Sequence, residues 1–347
     1  MLLDSQARAG ASSPTSGDAR DADIAVDELA SLCKASADRL RLAVLQLLRQ
    51  DSLAVQEICT LLDVRQPALS HHLKVLASAG FITSRREGNN LFYRRAVPET
   101  GRPLAQLQDG LLAAVDAMPL LPELDHRLQI LRRERESSSR EFFRQNADKF
   151  REQQDLVASY EQYADTVAEM LGNAPLTRRE LALEVGPGDG AFLRELSPRF
   201  KAVLALDNSE AMLRKSEQLA GDAGLGNIEF VHGDTGHERL QQLAADCIVA
   251  NMVLHHTPSP ADILTDLAAC LAPGGVLLIT DLCRHDQDWA RASCGDLWLG
   301  FEPEELGAWA TSAGLTEIAG IYLAQRNGFQ VQVRLFGHQQ NHQGLSQ

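Results

Sequence analysis

The chain has 347 residues, of which 44% are hydrophobic and 23% charged, with a formal net charge of −14. Because this length exceeds the roughly 250–300 residues at which one hydrophobic core stops growing, we expect two domains of a soluble globular protein. No apolar run approaches the roughly 20 residues of a membrane span and no signal peptide is evident, so we predict a cytoplasmic protein with no membrane partner.

The charge is unevenly distributed along the chain. From Gln154 to the end, 12 Lys and Arg stand against 26 Asp and Glu, which accounts for the whole acidic excess. Between Arg65 and Arg95, in contrast, there are six basic residues and a single acidic one, Glu87. A local basic surface of this kind indicates nucleic-acid binding even in an acidic protein.

The amino-terminal third predicts a mainly helical domain over residues 24–122, preceded by a disordered tail, 1–23, that is rich in Ala, Ser, Gly and Asp. Apolar spacing predicts helices at about 26–35, 38–49, 54–62, 66–78 and 102–117. Apolar and polar residues alternate on both sides of 87–90, and this pattern predicts a β-hairpin. Helices followed by such a hairpin are the pattern of a winged helix-turn-helix.

The remainder predicts a charged helical linker over 123–153, an α/β domain over 154–336 and a loose tail over 337–347. Apolar runs that alternate with helical segments predict a mostly parallel, seven-stranded Rossmann-like sheet covered on both faces. We expect strands near 181–185, 202–206, 228–231, 246–251, 276–281, 316–323 and 329–336. The last two have a short connection and are expected to form an antiparallel edge pair.

The predicted helix 66–78 is the candidate for DNA recognition. Leu69, Leu73 and Leu76 recur at helical spacing and would face the core, which leaves the polar residues outward. Side-chain type favours base edges for Gln66 and His71, and phosphates for the other candidates, although each is also an ordinary solvated residue. The phosphate candidates are Ser70, Lys74, Arg85, Arg86 and Arg94.

The motifs QPALSHHL at 66–73, AGFI at 79–82 and RREG at 85–88 closely resemble the ArsR/SmtB family of bacterial repressors, over about residues 26–120. This resemblance implies a homodimer that binds a palindromic double-stranded operator. Many members sense metals through a cysteine pair on the helix before the recognition helix. Those positions hold Ala54 and Gln56 here, so we expect no metal.

The sequence LALEVGPGDG at 181–190 indicates a ligand site, because a strand runs through an acidic residue into a glycine-rich turn. This turn alone also fits an NAD-type dinucleotide fingerprint. Asp207 ends the second strand, as needed to bind ribose hydroxyls in either ligand class. Asp234 follows the third strand, Asn251 ends the fourth, and LAPGG at 271–275 leads into the fifth.

This ordered set resembles the class I S-adenosylmethionine-dependent methyltransferases over about residues 150–336, which disfavours NAD. The resemblance implies that the domain binds S-adenosylmethionine or S-adenosylhomocysteine. It assigns Glu184, Gly186, Gly188 and Gly190 to the methionine part of the ligand, Asp207 to the ribose, Met212 and Asp234 to the adenine and Asn251 to the region near sulfur.

Whether the domain catalyses methyl transfer stays open at this stage. His255 and His256 follow the fourth strand and are candidate bases, although packing of the loop accounts for them equally well. The whole architecture resembles the S-adenosylhomocysteine-responsive ArsR-type regulators of methionine-cycle genes, which implies a repressor released from DNA by that ligand. The alternative is an active small-molecule methyltransferase with an attached regulatory DNA-binding domain.

Overall fold

The computed structural model describes residues 16–49, 51–87, 90–96 and 104–338. These residues divide into two compact units. The first comprises 16–49, 53–84, 93–96 and 104–120, and the second comprises 51–52, 85–87, 90–92 and 121–338. Residues 1–15 and 339–347, which belong to the predicted tails, lie outside the described residues.

The described residues up to 120 form five helices and a small three-stranded sheet of order β1-β3-β2. The elements are α1 Ser16–Ser36, α2 Arg39–Leu47, β1 Leu53–Ala54, α3 Val55–Leu62, α4 Gln66–Ser78, β2 Ile82–Glu87, β3 Asn90–Arg95 and α5 Ala105–Asp116. This arrangement confirms the predicted winged helix-turn-helix, with α4 in the position of the recognition helix.

Local chemistry explains where these helices begin and end. The Asp38 carboxylate caps α2 by accepting the Arg41 backbone N–H at 3.0 Å. Asp63, with φ of 54°, ends α3 in the left-handed conformation, which Asp tolerates better than most residues. Pro67 lies in the first turn of α4, where its missing N–H leaves no hydrogen bond unmade.

The first helix is longer than expected. Helix α1 begins at Ser16, whereas the sequence analysis predicted a disordered tail up to residue 23 and a helix from about 26. Residues 18–23 read Asp-Ala-Arg-Asp-Ala-Asp, and Ala and Arg favour helix strongly even where no apolar periodicity marks one. The prediction relied on periodicity and therefore placed the helix start too late.

From residue 121 the chain forms the α/β unit. Its elements are α6 Pro122–Asn146, α7 Phe150–Val157, α8 Tyr160–Gly172, β4 Leu181–Val185, α9 Leu193–Leu196, β5 Ala202–Asp207, α10 Glu210–Asp222, β6 Ile228–His232, β7 Ala245–Asn251, α11 Pro260–Ala269, β8 Leu271–Leu282, α12 Trp289–Cys294, α13 Pro303–Ser312, β9 Leu315–Ala324 and β10 Gln330–His338. Short 3-10 turns lie at Ala147–Lys149, Glu238–Leu240 and Leu254–His256.

The sheet has the order β6-β5-β4-β7-β8-β10-β9 and confirms the predicted seven strands. Strands β4 to β8 pair in parallel, while β10 lies antiparallel to both β8 and β9. Successive residues point to opposite faces: Ala182 packs into the hydrophobic cluster on one face and Leu183 into the cluster on the other. Because the order reverses at β4, a crevice opens at the carboxyl ends of β4 and β7, where open α/β sheets bind their ligands.

Candidate functional site

The turn after β4 is shaped by its glycines. Gly186, Gly188 and Gly190 have φ values of 62°, 60° and 86°, a region that side-chain-bearing residues rarely adopt. A Cβ on Gly190 would lie 2.9 Å from Cα of Ser216, so at this position space as well as conformation excludes a side chain. The turn therefore exposes backbone at the carboxyl edge of the sheet.

Helix α10 holds this turn in place through Ser216. Its hydroxyl donates to the Gly188 carbonyl oxygen at 2.8 Å, and the side chain is fully buried. This residue could not be identified from the sequence, because a serine in a helix carries no signal of a partner 28 positions away. The hydrogen bond fixes the loop before any ligand arrives.

Two acidic residues stand at the ends of β4 and β5. Burial raises the pKa of Glu184 to about 8, and the nearby Asp189 carboxylate adds to the rise. Burial also raises the pKa of Asp207 to about 7, although the Ser209 backbone N–H, 2.8 Å from Oδ1, opposes this. A ligand that brings donors or a positive charge would restore the ionised form of both.

These residues line one cavity of about 490 Å³, a volume within the usual range for small-molecule sites. It contains seven of the eight predicted ligand-contact residues, namely Glu184, Gly186, Gly188, Asp207, Met212, Asp234 and Asn251. The eighth, Gly190, packs against Ser216 behind the turn. The structure thus brings together residues from four strand ends that are up to 67 positions apart.

The cavity wall carries polar atoms that lack protein partners. Among the described residues, Oε2 of Glu184 and both Oδ1 and Nδ2 of Asn251 are buried and make no hydrogen bond. Buried polar groups without partners are costly, so these atoms are suited to hydrogen-bond a ligand in the cavity. An S-adenosyl compound fits this donor and acceptor set, since its ammonium suits Glu184 and its ribose hydroxyls suit Asp207.

The segment predicted as a charged linker is helical, as expected, but it is more than a connector. Residues of α6 form a wall of the cavity: Gln129, Arg132, Arg133, Glu136, Ser139 and Phe143. The Ser139 hydroxyl donates to the His256 carbonyl oxygen at 3.0 Å, and the Phe143 ring meets the His256 ring edge-on at 4.8 Å. These residues could not be identified from the sequence, because a helix that faces a polar cavity shows little amphipathic contrast.

Arg132 of α6 is held by two carboxylates of the second unit. Its Nη2 lies 2.6 Å from Asp51 Oδ2, and its Nη1 lies 3.0 Å from Asp262 Oδ2. The Asp51 side chain is 1% exposed and also accepts the Ser259 hydroxyl at 3.1 Å. Arg132, Ser259 and Asp262 line the cavity, whereas Asp51 supports them from behind.

The structure separates the two histidines that were candidate bases. His256 lines the cavity, but burial and the neighbouring His255 lower its pKa well below the ordinary value. His255 lies behind it, with Nδ1 2.7 Å from Oδ1 of the buried Asp281. Of the two, His256 is the one that lines the cavity.

The DNA-recognition candidates on α4 are solvent-facing. Leu69, Leu73 and Leu76 are fully buried, while Gln66, Ser70, His71 and Lys74 are exposed. The Ser70 hydroxyl donates to the Gln66 carbonyl oxygen at 2.8 Å in the same helix. The α4 face therefore presents polar side chains in the way a recognition helix requires.

The basic residues of the hairpin differ in their surroundings. Arg86 is exposed, and Arg94 donates from Nε to the Thr83 hydroxyl at 3.2 Å. Arg85 is half-buried and, within the second unit, donates from Nη1 to the Gly300 carbonyl oxygen at 3.1 Å. Arg95, which contributed to the predicted basic surface, instead pairs with Asp116 at 2.7 Å. Local sequence could not distinguish these arginines from one another.

Comparison with known families matches the two parts of the chain separately. The methyltransferase domain family matches residues 150–332, and the bacterial regulatory protein family arsR matches residues 38–84. Among the described residues, none of the helices combines the length and apolar character needed to cross a membrane.

Individual relatives follow the same division. The chain is 32% identical over 158 residues to a trans-aconitate 2-methyltransferase of Methylobacterium radiotolerans, covering 44% of this chain and 55% of that protein. It is 40% identical over 80 residues to a biofilm growth-associated repressor of Agrobacterium fabrum, covering 23% of this chain and 68% of that protein. The chain spans about half the length of the curated methyltransferases that it matches.

A solved structure of similar fold is the N-methyltransferase NodS from Bradyrhizobium japonicum in complex with S-adenosylhomocysteine. It is 20% identical, with a TM-score of 0.41, and covers 51% of this chain and 88% of its own. The chain belongs to the methyltransferase domain family and carries an amino-terminal DNA-binding domain of the ArsR family.

Proposed function

We propose that the protein is a transcriptional repressor whose binding to DNA is controlled by S-adenosylhomocysteine or S-adenosylmethionine in the cavity of the second unit. The observation that carries this proposal is the position of α6. This helix follows the DNA-binding domain directly in the chain, and six of its residues line the cavity. A ligand that changes the position of α6 would act on the segment that leaves the DNA-binding domain.

The position of Asp51 in the chain also supports coupling between the cavity and the DNA-binding domain. It is two residues before β1 and lies on the connection from α2 to the helix-turn-helix. Its buried carboxylate pairs with Arg132, which lines the cavity. The ligand controls DNA binding because its affinity for the DNA-binding state differs from its affinity for the released state. The factor by which the ligand changes the affinity for DNA equals the factor by which DNA changes the affinity for the ligand.

Several features favour sensing over turnover. The lowered pKa of His256 makes it a weak base at neutral pH. Ser139 and Phe143 of α6 contact His256 on the wall of the cavity that also contains the predicted sulfur-facing residue Asn251. By the family resemblance, we propose S-adenosylhomocysteine as the releasing ligand and methionine-cycle genes as targets.

The proposed regulator is a cytoplasmic homodimer on a palindromic operator, with no membrane partner and no metal in the control of DNA binding. Exposed apolar side chains on α1 and α5 support a dimer interface, namely Val26 at 64%, Leu29 at 40% and Leu107 at 37% exposure. DNA contacts are assigned to Gln66, Ser70, His71, Lys74, Arg86 and Arg94, and Arg85 contributes only if its bond to Gly300 is exchanged for a phosphate.

A second candidate function is methyl transfer to a small molecule, which the methyltransferase family match and the position of His256 on the cavity wall favour. Calorimetric titration with both S-adenosyl compounds, followed by operator binding with each, tests the regulator. Release of labelled methyl groups onto a panel of acceptors tests the enzyme. If neither ligand changes the affinity for DNA and the protein sustains methyl transfer, the second proposal replaces the first.

A further inference from the structure

A second cluster of polar side chains lies behind the cavity wall, within the second unit. His255, His256 and Asp296 each direct one nitrogen or oxygen atom into a common space, and these atoms all lie within 4.8 Å of one another. Two imidazoles and one carboxylate are a donor set that binds zinc and iron(II) in proteins. The expectation of no metal rested on positions in the helix-turn-helix and on the predicted helix 102–117, which lacks a set of Asp, His and Glu ligands, and this cluster lies elsewhere.

Asp296 has no hydrogen-bond partner for its charge. The residue is 3% exposed, and both carboxylate oxygens are buried without a hydrogen bond among the described residues. The His255 imidazole and, more weakly, the Arg291 guanidinium act on it electrostatically, but neither donates a hydrogen bond to it, and Nη1 of Arg291 donates to the Leu297 carbonyl oxygen. A buried carboxylate in this situation is expensive unless a cation coordinates it.

His255 is oriented as a metal ligand would be. Its Nδ1 lies 2.7 Å from Asp281 Oδ1, which directs Nε2 toward Asp296 Oδ1 at 3.9 Å. Asp281 is itself fixed, since it accepts the backbone N–H groups of Leu254 at 2.9 Å and Leu282 at 2.8 Å. A carboxylate that holds the second nitrogen of a histidine sets its tautomer and orientation and makes it a better ligand.

His256 completes the set after a small adjustment. Its Nδ1 lies 3.9 Å from Asp296 Oδ1 and 3.2 Å from the Gly295 carbonyl oxygen. Two ligand atoms on a tetrahedral zinc are about 3.3 Å apart, given metal–ligand bonds of about 2.0–2.1 Å. The two distances of 3.9 Å to Asp296 must therefore shorten by about 0.6 Å, the distance between the two histidine nitrogens, which is at most 4.8 Å, must shorten by up to about 1.5 Å, and His256 must exchange its contact with Gly295 for the metal.

The three side chains enclose a void of about 20 Å³, together with Met252 and Cys294. This volume suffices for a single ion or a single water molecule. The Cys294 thiol donates to the Gln153 carbonyl oxygen at 3.3 Å and leaves the fourth coordination position to water. His256 and Met252 line both this void and the ligand cavity, so an ion here would stiffen the shared wall.

We propose that His255, His256 and Asp296 bind one divalent transition-metal ion, with Asp281 as the residue that positions His255. The ion has a structural role, because the void is separate from the space assigned to the S-adenosyl ligand. The proposal rests on this cluster alone and is independent of the proposed control of DNA binding.

The test uses the full chain, stripped with a chelator and titrated with Co²⁺ or Zn²⁺. We expect one equivalent of Co²⁺ per chain, with visible absorption bands of a nitrogen and oxygen site, and an increase in the Tm. Asp296→Asn, which preserves shape, and His256→Gln should each weaken Co²⁺ binding at least about tenfold. Asp286→Asn is the matched control, since it removes an exposed carboxylate ten positions earlier.

Circular dichroism of each variant separates loss of the site from loss of the fold. If folded wild-type protein takes up neither Co²⁺ nor Zn²⁺, the void holds water and the proposal is overturned. It is equally overturned if both variants bind one equivalent as tightly as the wild type. If Asp296→Asn does not fold, the wild-type titration and His256→Gln still decide the question.

Discussion

A Cβ atom on Gly186 would lie only 2.6 Å from Cγ2 of Val253, so the glycine-rich turn and the segment after β7 are in contact at the floor of the cavity. Real Cβ atoms do not approach so closely, and Gly186 also has a φ of 62°. The close approach of Val253 and the left-handed backbone conformation each disfavour a side chain at Gly186.

Gly186→Ala should displace the turn and weaken S-adenosylhomocysteine binding at least about tenfold, because a shift of 1 Å in a binding constellation is costly. Gly224→Ala is the matched control: its φ is 68°, but nothing lies within 4 Å of the added Cβ. Both variants carry about 1–2 kcal/mol of left-handed strain, and only the first should lose the ligand in calorimetry. Equal affinities for the two variants would contradict the site.

The pKa of Glu184, raised to about 8, predicts a dependence of stability on pH. The folded apoprotein binds this proton more tightly than the unfolded chain, so the stabilisation is complete below the unfolded pKa of about 4.3 and is lost as the pH rises through about 8. Because glutamine does not titrate, the Tm of Glu184→Gln should rise relative to the wild-type Tm as the pH increases from about 5 to about 9. Each kcal/mol of difference in stability corresponds to a Tm difference of about 2–4 °C.

The same variant should lose affinity for the ligand, whose ammonium needs the carboxylate. In the wild type, binding near pH 7 should release protons, which appears as a buffer-dependent enthalpy in calorimetry. Glu180→Gln, which changes an exposed carboxylate just before β4, is the control and should show neither effect. If the Tm difference between Glu184→Gln and the wild type does not change with pH, Glu184 is ionised in the apoprotein and the assignment fails.

Lys74 on the exposed face of α4 is assigned to a phosphate. Lys74→Ala should weaken binding of all DNA sequences alike and reduce the slope of log affinity against log salt by about 1. Fluorescence anisotropy over a range of salt concentrations measures both quantities. Lys201→Ala removes the same charge from the second unit and should leave the slope unchanged. An unaltered slope in Lys74→Ala would remove this residue from the DNA interface.

The buried pair of Asp51 and Arg132 is expected to carry the coupling between ligand and DNA. Asp51→Asn leaves the cavity lining intact, so the affinity for S-adenosylhomocysteine should stay within a few-fold of the wild type. The effect of the ligand on DNA affinity should fall by about 0.5–2 kcal/mol, the usual size for residues that transmit such effects. Glu123→Gln, which changes an exposed carboxylate in the first turn of α6 that pairs with Arg127, serves as the control. A full ligand effect in Asp51→Asn would exclude this pair from the mechanism.

Much of the ligand site could be predicted from sequence, since strand ends and glycines carry local signals. Glu184 and Asp207 each close an apolar run, and parallel strands bring their carboxyl ends to one edge. The loop anchor Ser216 and the wall residue Phe143 could not be predicted, because their roles depend on partners 28 and 113 positions away. Contacts between residues so far apart in the chain leave no periodic pattern in the sequence.

The same limit applies to charge. The basic stretch 65–95 correctly indicated a DNA-binding domain, yet Arg85 and Arg95 are engaged by a carbonyl oxygen and a carboxylate within the protein. The basic residues of a segment predict that its surface is basic. Contacts in the folded protein decide which of these side chains stay available to bind phosphates. The acidic second unit explains why the net charge of −14 conceals this surface.

The most direct test of the account measures the affinity of the full chain for DNA that it selects from a random-sequence pool, in the absence of ligand and at saturating S-adenosylhomocysteine. We expect the ligand to weaken DNA binding at least about fivefold, and Gly186→Ala to require at least about tenfold more ligand for the same response. The same affinity with and without S-adenosylhomocysteine, at a concentration that calorimetry shows to be saturating, would contradict control of DNA binding by the cavity.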